Sequence, residues 1–251
     1  MWAKVGYGFL GIFFLILTWS VLGYLTFTQE GYRQFDGFMP IPTLNALFSL
    51  IMDVSFWQSV FASLRRIIIG ICISATLGLP TGILLGFYEK LRMISYPPIQ
   101  FLRMISPISW MPIALLLFQS FESAIVFLLI MATIWPIIIN TTMGVSRVDT
   151  RWITMAINQG ATNSQLIWKI IIPSTIPYML TSLRMALGVA WIVLVPAEFL
   201  GISSGLGYLI NDARDTMAYD RLMAIVIAIG IIGSILDTLI EQIQKPFQWK
   251  R

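Results

Sequence analysis

Long apolar runs separated by short polar turns dominate the chain. Six of them, roughly 5–27, 57–87, 93–118, 124–143, 173–199 and 222–241, are long enough to cross a hydrocarbon core of about 30 Å as helices. A lipid-embedded backbone must satisfy its own hydrogen bonds, so this pattern predicts an all-α integral membrane protein with about six transmembrane helices. The first run is too long for a signal-peptide core and lacks a small-residue cleavage site, which makes it a retained anchor. In "TLNALFSLIMD", Leu44, Leu47, Phe48 and Ile51 fall on one helical face behind Thr43, a suitable N-cap. That spacing predicts a short interfacial helix within 28–56.

One polar stretch interrupts the apolar pattern, "MAINQGATNSQLIWKIIIPSTIP" at 155–177. Asp149 or Thr150 can cap a short helix in which Trp152, Ile153, Ala156 and Ile157 share a face, and Gly160 can end it in a left-handed C-cap. Thr162 and Gln165 form the T-x-x-Q pair of a capping box, opening a second helix through Leu166, Ile167, Ile170 and Ile171 that stops before Pro173. An idle connector needs only a few polar residues. Two helices around a tight turn suit either packing on the protein's own surface or docking to a partner.

Composition agrees with the membrane pattern: 57% of the 251 residues are apolar and 11% charged, against about 25% charged in soluble domains. With no histidine and a lone Cys72 in an apolar run, a Ser-His-Asp triad, a His-bearing metal site and an intrachain disulfide are excluded. The net charge of +4 is spread over loops and forms no basic stripe for nucleic acid. Lysine and arginine instead report orientation. Lys4, Lys90, Arg92, Arg147, Arg151, Lys169, Lys245, Lys250 and Arg251 fall on one side, against Arg33, Arg214 and Arg221 on the other. By the positive-inside bias both termini are cytoplasmic, and so is 144–172.

From these residues the chain resembles the permeases of ABC importers. Their coupling loop carries the signature E-A-A-x3-G and, after a spacer, an aliphatic residue and proline. Here Thr154, Met155 and Ala156 stand at its first three positions, Gly160 and Ala161 at its turn, and Ile172 and Pro173 at its end, with threonine in place of the acid. The stretches "SLRRIIIGICISATLGLPTGILLG", "FLRMISPISWMPIALLLF", "IWPIIINTTMGV", "LRMALGVAWIVLVPAEFLGISSGLGYLI" and "YDRLMAIVIAIGIIGSILD" look like the nitrate, bicarbonate, sulfonate and taurine branch of that family.

The resemblance implies a type I, MetI-like permease fold: residues 1–39 an anchor helix and outer loop, 40–251 the permease core with a cytoplasmic coupling segment at 150–172. It implies docking of that segment, through Arg151, Thr154, Ala156, Asn158, Gln159, Gly160, Ala161 and Thr162, to separate ATPase subunits. The further partners it implies are a second permease copy and a periplasmic or lipoprotein substrate-binding protein, in the inner (plasma) membrane. No P-loop pattern G-x-x-x-x-G-K-[ST] occurs, so ATP belongs to the partner subunits and no catalytic residue or cofactor is expected in this chain. The expected cargo is a small anion: nitrate, bicarbonate, or an alkanesulfonate such as taurine. A secondary transporter or channel would need no ATPase-facing loop, and would more often show matched broken helices in two related halves.

Arg103, Ser106, Ser109, Trp110, Arg184 and Glu198 are candidates for the anion pathway, the two arginines foremost. Arg184 lies 11 residues beyond Pro173, about 16 Å along its helix, where a charge is costly and needs a partner. Its guanidinium either offers a bidentate fork to the anion or pairs with Asp237, Glu198 or a carbonyl; Glu198, 14 residues on, lies too far along the same helix for the pair to be favoured. Arg103 precedes Ser106, Pro107, Ser109, Trp110 and Pro112, where a proline-broken helix either faces a wet pathway or is a kink satisfied by neighbours. Arg65 and Arg66 are expected to snorkel or clamp their helix. Gly70, Gly78, Gly82 and Gly86 recur at fours or eights, the spacing of a close helix approach.

Overall fold

The computed structural model describes residues 2–199 and 201–247, so Lys250 and Arg251 of the charge census lie outside the described residues. Nearly every described residue is helical: α1 (Trp2–Phe27), α2 (Pro40–Met52), α3 (Val54–Phe87), α4 (Glu89–Met104), α5 (Met111–Leu117), α6 (Phe121–Ser146), α7 (Thr150–Asn158), α8 (Asn163–Leu166), α9 (Ile172–Phe199), α10 (Leu206–Asp215) and α11 (Tyr219–Gln244). Among the described residues six helices are long and apolar enough to cross a membrane, or seven if a bent pair counts as one span. Chain contacts define two units, Met1–Ala62 with Ser203–Ile232, and Ser63–Ile202 with Gly233–Arg251.

In the first unit, the 28–56 stretch departs from expectation. A 3-10 helix over Glu30–Phe38 leads into α2, which starts at Pro40 with Met39 as N-cap, and the pair together is long enough to span. Proline is favoured at the first helical position because its missing N–H has no intrahelical partner there, so Pro40 rather than Thr43 opens the helix. Thr43 is buried instead, its hydroxyl donating to the Gly37 carbonyl at 3.2 Å. The buried positions are Thr43, Ala46 and Leu50, whereas Leu44, Phe48 and Ile51 are exposed. Lipid is as apolar as leucine, so Leu44, Phe48 and Ile51 can face outward while Thr43 and Ala46, with Leu50, face protein. The aromatic rings of Phe35 and Phe38 pack on Tyr219 with centroids 4.9 and 5.2 Å away.

The second unit is built on α6 and α9, a closely packed helix pair. Its core joins Ile125, Leu128 and Leu129 of α6 to Ala190, Leu194 and Ala197 of α9, with Ile67 of α3 and Ala114 of α5. The glycine repeat of α3 lies along α6, as the spacing predicts. A Cβ at Gly70, Gly78 or Gly82 would stand 2.8, 2.9 or 2.6 Å from Leu129, Ile137 or Thr141, and one at Gly86 would collide with Val145.

Two proline segments also differ from expectation. The run 93–118 is not one straight span: α4 and the segment Pro107–Leu117 meet at 88°. A proline forces the preceding residue out of the helical region, and Ser106 before Pro107 is at φ −56°, ψ 129°. At Pro173 the reverse holds, and the helix does not stop. Asn163–Phe199 runs as one element of 37 residues because a π turn occupies Ile167–Ile171, with the Ile172 N–H bonded to the Ile167 carbonyl. That wider turn precedes the residue that cannot donate and absorbs the misfit of the proline ring.

Candidate functional site

The segment between α6 and α9 is shaped by its caps more than by burial. Asp149, not Thr150, caps α7, its carboxylate accepting from the Arg151 N–H at 2.9 Å. At the other end Gly160 adopts φ +79°. Its N–H bonds the Ile157 carbonyl at 2.9 Å and the Ala161 N–H the Ala156 carbonyl at 3.0 Å, the paired bonds of a Schellman C-cap. The capping box follows: Thr162 Oγ1 accepts from the Gln165 N–H at 3.4 Å, and Gln165 Oε1 from the Thr162 N–H at 2.9 Å.

These caps fix the face that α7 presents. Thr150, Arg151, Thr154, Met155, Asn158 and Gln159 line a shallow concavity of about 510 Å³. Of the predicted coupling residues, Arg151, Thr154, Asn158, Gln159, Gly160 and Thr162 are exposed, while Ala156 and Ala161 are half-buried. The apolar face divides. Ile153 and Ala156 pack inward, whereas Trp152 and Ile157, with Met155, stay 49–59% exposed. Large apolar side chains thus stand in the open beside polar ones on this segment.

The pathway candidates are less concentrated. Arg103 is exposed in the last turn of α4. Ser106 and Ser109 are exposed too, joined by the Ser109 N–H to the Ser106 carbonyl at 3.0 Å. Trp110 turns away, packing on the apolar core and meeting Phe127 edge-on at 6.5 Å. Arg184 is paired: Nε and Nη2 donate to the two oxygens of Asp237 at 2.7 and 2.6 Å, and Nη2 also reaches Glu241 at 3.0 Å. Asp237 lies seven residues before the end of α11, about 10 Å along the axis, and Arg184 meets it from 12 residues inside α9. Beside it, Leu187, Gly188, Trp191, Gly233, Leu236 and Asp237 line a small cavity of about 90 Å³.

Glu198 meets a different arginine. It is wholly buried, accepts from Ser63 Oγ at 2.8 and 2.9 Å, and bonds Arg66 Nη1. The opposite edge of that guanidinium grips Glu122, through Nε at 3.0 Å and Nη2 at 2.6 Å. Arg66, 1% exposed, is thus the centre of a buried network joining α3, α6 and α9. Of the two expectations for Arg66, snorkelling or clamping, the structure shows the clamp, because two carboxylates make burial cheaper than reaching for water. A signal existed in the chain: Glu122 at the start of α6, Glu198 at the end of α9 and Arg66 in the first half of α3 fall toward the side that the charge bias assigns as outer.

Comparison with known proteins places this geometry. The model of the family "binding-protein-dependent transport system inner membrane component" matches residues 78–248. The chain belongs to this family. The permease is 36% identical over 192 residues to the bicarbonate transport system permease protein CmpB of Synechococcus elongatus, covering 76% of this chain and 68% of the relative. It is 32% identical over 210 residues to the nitrate import permease protein NrtB of Synechocystis, covering 80% and 76%. Among solved structures, an inward-facing form of the MetNI methionine ABC transporter superposes with a TM-score of 0.67 at 15% identity, over 78% of this chain and 98% of that one. The fold is therefore the MetI-like permease fold, and the permease is a multi-pass inner-membrane component of an ABC importer.

Proposed function

We propose that this permease carries a small oxyanion, bicarbonate or nitrate in preference to a sulfonate, into the cytoplasm by alternating access driven by separate ATPase subunits. The observation that carries the reading is the α7 face: a capped helix that holds Trp152, Met155 and Ile157 in the open around Arg151, Thr154 and Asn158. Such a surface suits a cleft on the ATPase, and bicarbonate and nitrate are the cargoes named for its relatives. With Thr154 where an acid is usual, contact rests on shape and on the cation of Arg151 rather than on a carboxylate. In the working complex both termini and α7 are cytoplasmic, two permease copies pair with two ATPases, ATP is bound by those partners alone, and a binding protein delivers the anion from outside. Residues 101–118 with α6 and α9 line the route, and Arg103, Ser106 and Ser109 belong to it, with Trp110 packed behind them on the core.

The test is ATP hydrolysis and uptake by the reconstituted complex with its binding protein, offered bicarbonate, nitrate, taurine and other sulfonates. Stimulation by bicarbonate or nitrate is expected. Stimulation by uncharged or cationic solutes only overturns the anion reading, and a solubilised permease that brings down no ATPase overturns the importer assembly.

A further inference from the structure

We infer that Arg66 is an anion-receiving site, and that the Glu122 carboxylate is an internal stand-in displaced there by a trigonal-planar oxyanion such as bicarbonate or nitrate. The inference rests on the anion-importer reading and names where that anion first engages. It starts from an asymmetry between the two carboxylates on one guanidinium. Glu198 is built in: wholly buried, and held by Ser63 as well as by Arg66 Nη1. Glu122 sits at the rim, 51% exposed, in the first turn of α6. One partner fixes the guanidinium in place, and the other is the accessible one.

The edge that Glu122 occupies has the shape of the proposed ligand. Nε and Nη2 donate side by side to two oxygens of one planar group, the fork geometry that arginine offers to carboxylate-like anions. Bicarbonate and nitrate present the same pair of oxygens, with their third oxygen where glutamate has its chain carbon. Charge also balances. Arg66 with two carboxylates carries one net negative charge, and exchanging Glu122 for a monoanion leaves that sum unchanged and strands no buried ion. Arg65, exposed on α3, acts electrostatically on Glu122 and offers the displaced side chain a second cation.

The position suits an entry site. Glu122 opens α6 and Glu198 closes α9, so the network lies at one end of this unit. Along α9 it is 14 residues, about 21 Å, from Arg184. In the orientation proposed above, that end faces the side from which a binding protein delivers its cargo.

The experiment is equilibrium dialysis of radiolabelled bicarbonate, and separately of nitrate, against the nucleotide-free permease–ATPase complex in nanodiscs without binding protein. A tethered carboxylate competes at an effective concentration in the millimolar range or above. Glu122→Gln is therefore expected to bind either anion at least about tenfold more tightly than wild type. Arg66→Lys keeps the charge but loses the fork, so it abolishes that binding, and the double variant shows no gain. If Arg66→Lys fails to assemble, wild type against Glu122→Gln decides alone. Equal affinities in those two forms overturn the inference and make the network a plain structural clamp. Tightening for taurine but not for bicarbonate or nitrate overturns the planar-anion assignment. ATP-driven uptake by the wild-type complex tests the importer reading separately, so the two failures are distinguishable.

Discussion

Replacing Gly160 by alanine isolates what the turn after α7 contributes. Gly160 is at φ +79°, and a Cβ built there meets nothing within 4 Å, so the substitution costs backbone strain alone. An L-residue in that region costs about 1–2 kcal/mol, which shifts the closed turn against its open forms by about 5–30-fold. The turn holds two hydrogen bonds, Gly160 N–H to Ile157 and Ala161 N–H to Ala156. Amide hydrogen exchange at residues 160 and 161 should therefore accelerate by that factor in Gly160→Ala, with the spans unaffected. Gly160→Asn should lose less, because asparagine visits the left-handed region more readily. Gly160→Pro should lose most, since it fixes φ near −65° and deletes the donor to Ile157. In the reconstituted importer, the ratio of anion taken up to ATP hydrolysed should fall in the same order: Asn, Ala, Pro. If alanine and asparagine exchange and couple alike, or if proline leaves coupling intact, the left-handed turn is not what holds the α7 face.

Three further outcomes follow from the packing and the charges. Gly82→Ala sets a methyl 2.6 Å from Thr141 Cβ and 2.9 Å from the Ile138 carbonyl; overpacking of this kind costs about 1–3 kcal/mol and should lower the thermal midpoint in detergent by several degrees, while Gly188→Ala, with nothing within 4 Å, should not lower it. Arg184→Ala leaves Asp237 and Glu241 without their shared cation, so its midpoint should fall and Arg184→Ala with Asp237→Ala should recover much of the loss. Uptake that stays abolished in that recovered double variant assigns Arg184 to the pathway, whereas restored uptake assigns it to structure. Asp53 accepts from the Ser55 N–H at 2.9 Å, and bonds to Ser55, with Arg221 nearby, hold its pKa below the ordinary aspartate value. A lowered folded pKa means stability that is full above the ordinary value near ~4 and lost as pH falls through the folded pKa, so acid titration of thermal stability should lose that limb in Asp53→Asn. An unchanged acid limb would refute the assignment.

What was legible in the chain tracks the distance over which each interaction acts. The Gly160 cap and the Thr162–Gln165 box close within six residues, and both formed as the local pattern predicts. The glycine seam of α3 was legible for another reason: small residues at a fixed spacing permit close approach whatever helix arrives, and here α6 fills the place. Pro173 misled because the rule that proline ends a helix assumes an α-helical turn before it, and a π turn removes that premise. The face of α2 misled because amphipathic reading assumes water outside.

The clamping of Arg66 was legible and its partners were not, for a reason that sharpens how charges in such chains should be read. Its partners stand 56 and 132 positions away, beyond any local pattern, so the chain alone left snorkelling and clamping both open. Arg184 drew attention because its depth looked costly, and of the partners the chain offered it found Asp237, with Glu241 one turn on. In both cases an arginine within an apolar helix is met by two acidic side chains from other helix segments at the same level. Depth counted along one helix therefore says little by itself. Sorting all charges by the end of the bundle that topology assigns them would have grouped Arg66 with Glu122 and Glu198, and Arg184 with Asp237 and Glu241. That grouping also separates the two arginines by role: both carboxylates on Arg184 are partly exposed, whereas Arg66 keeps one wholly buried carboxylate and one at the rim. The second arrangement alone leaves a guanidinium anchored in place when its outer partner departs, which is the condition an exchange site has to meet.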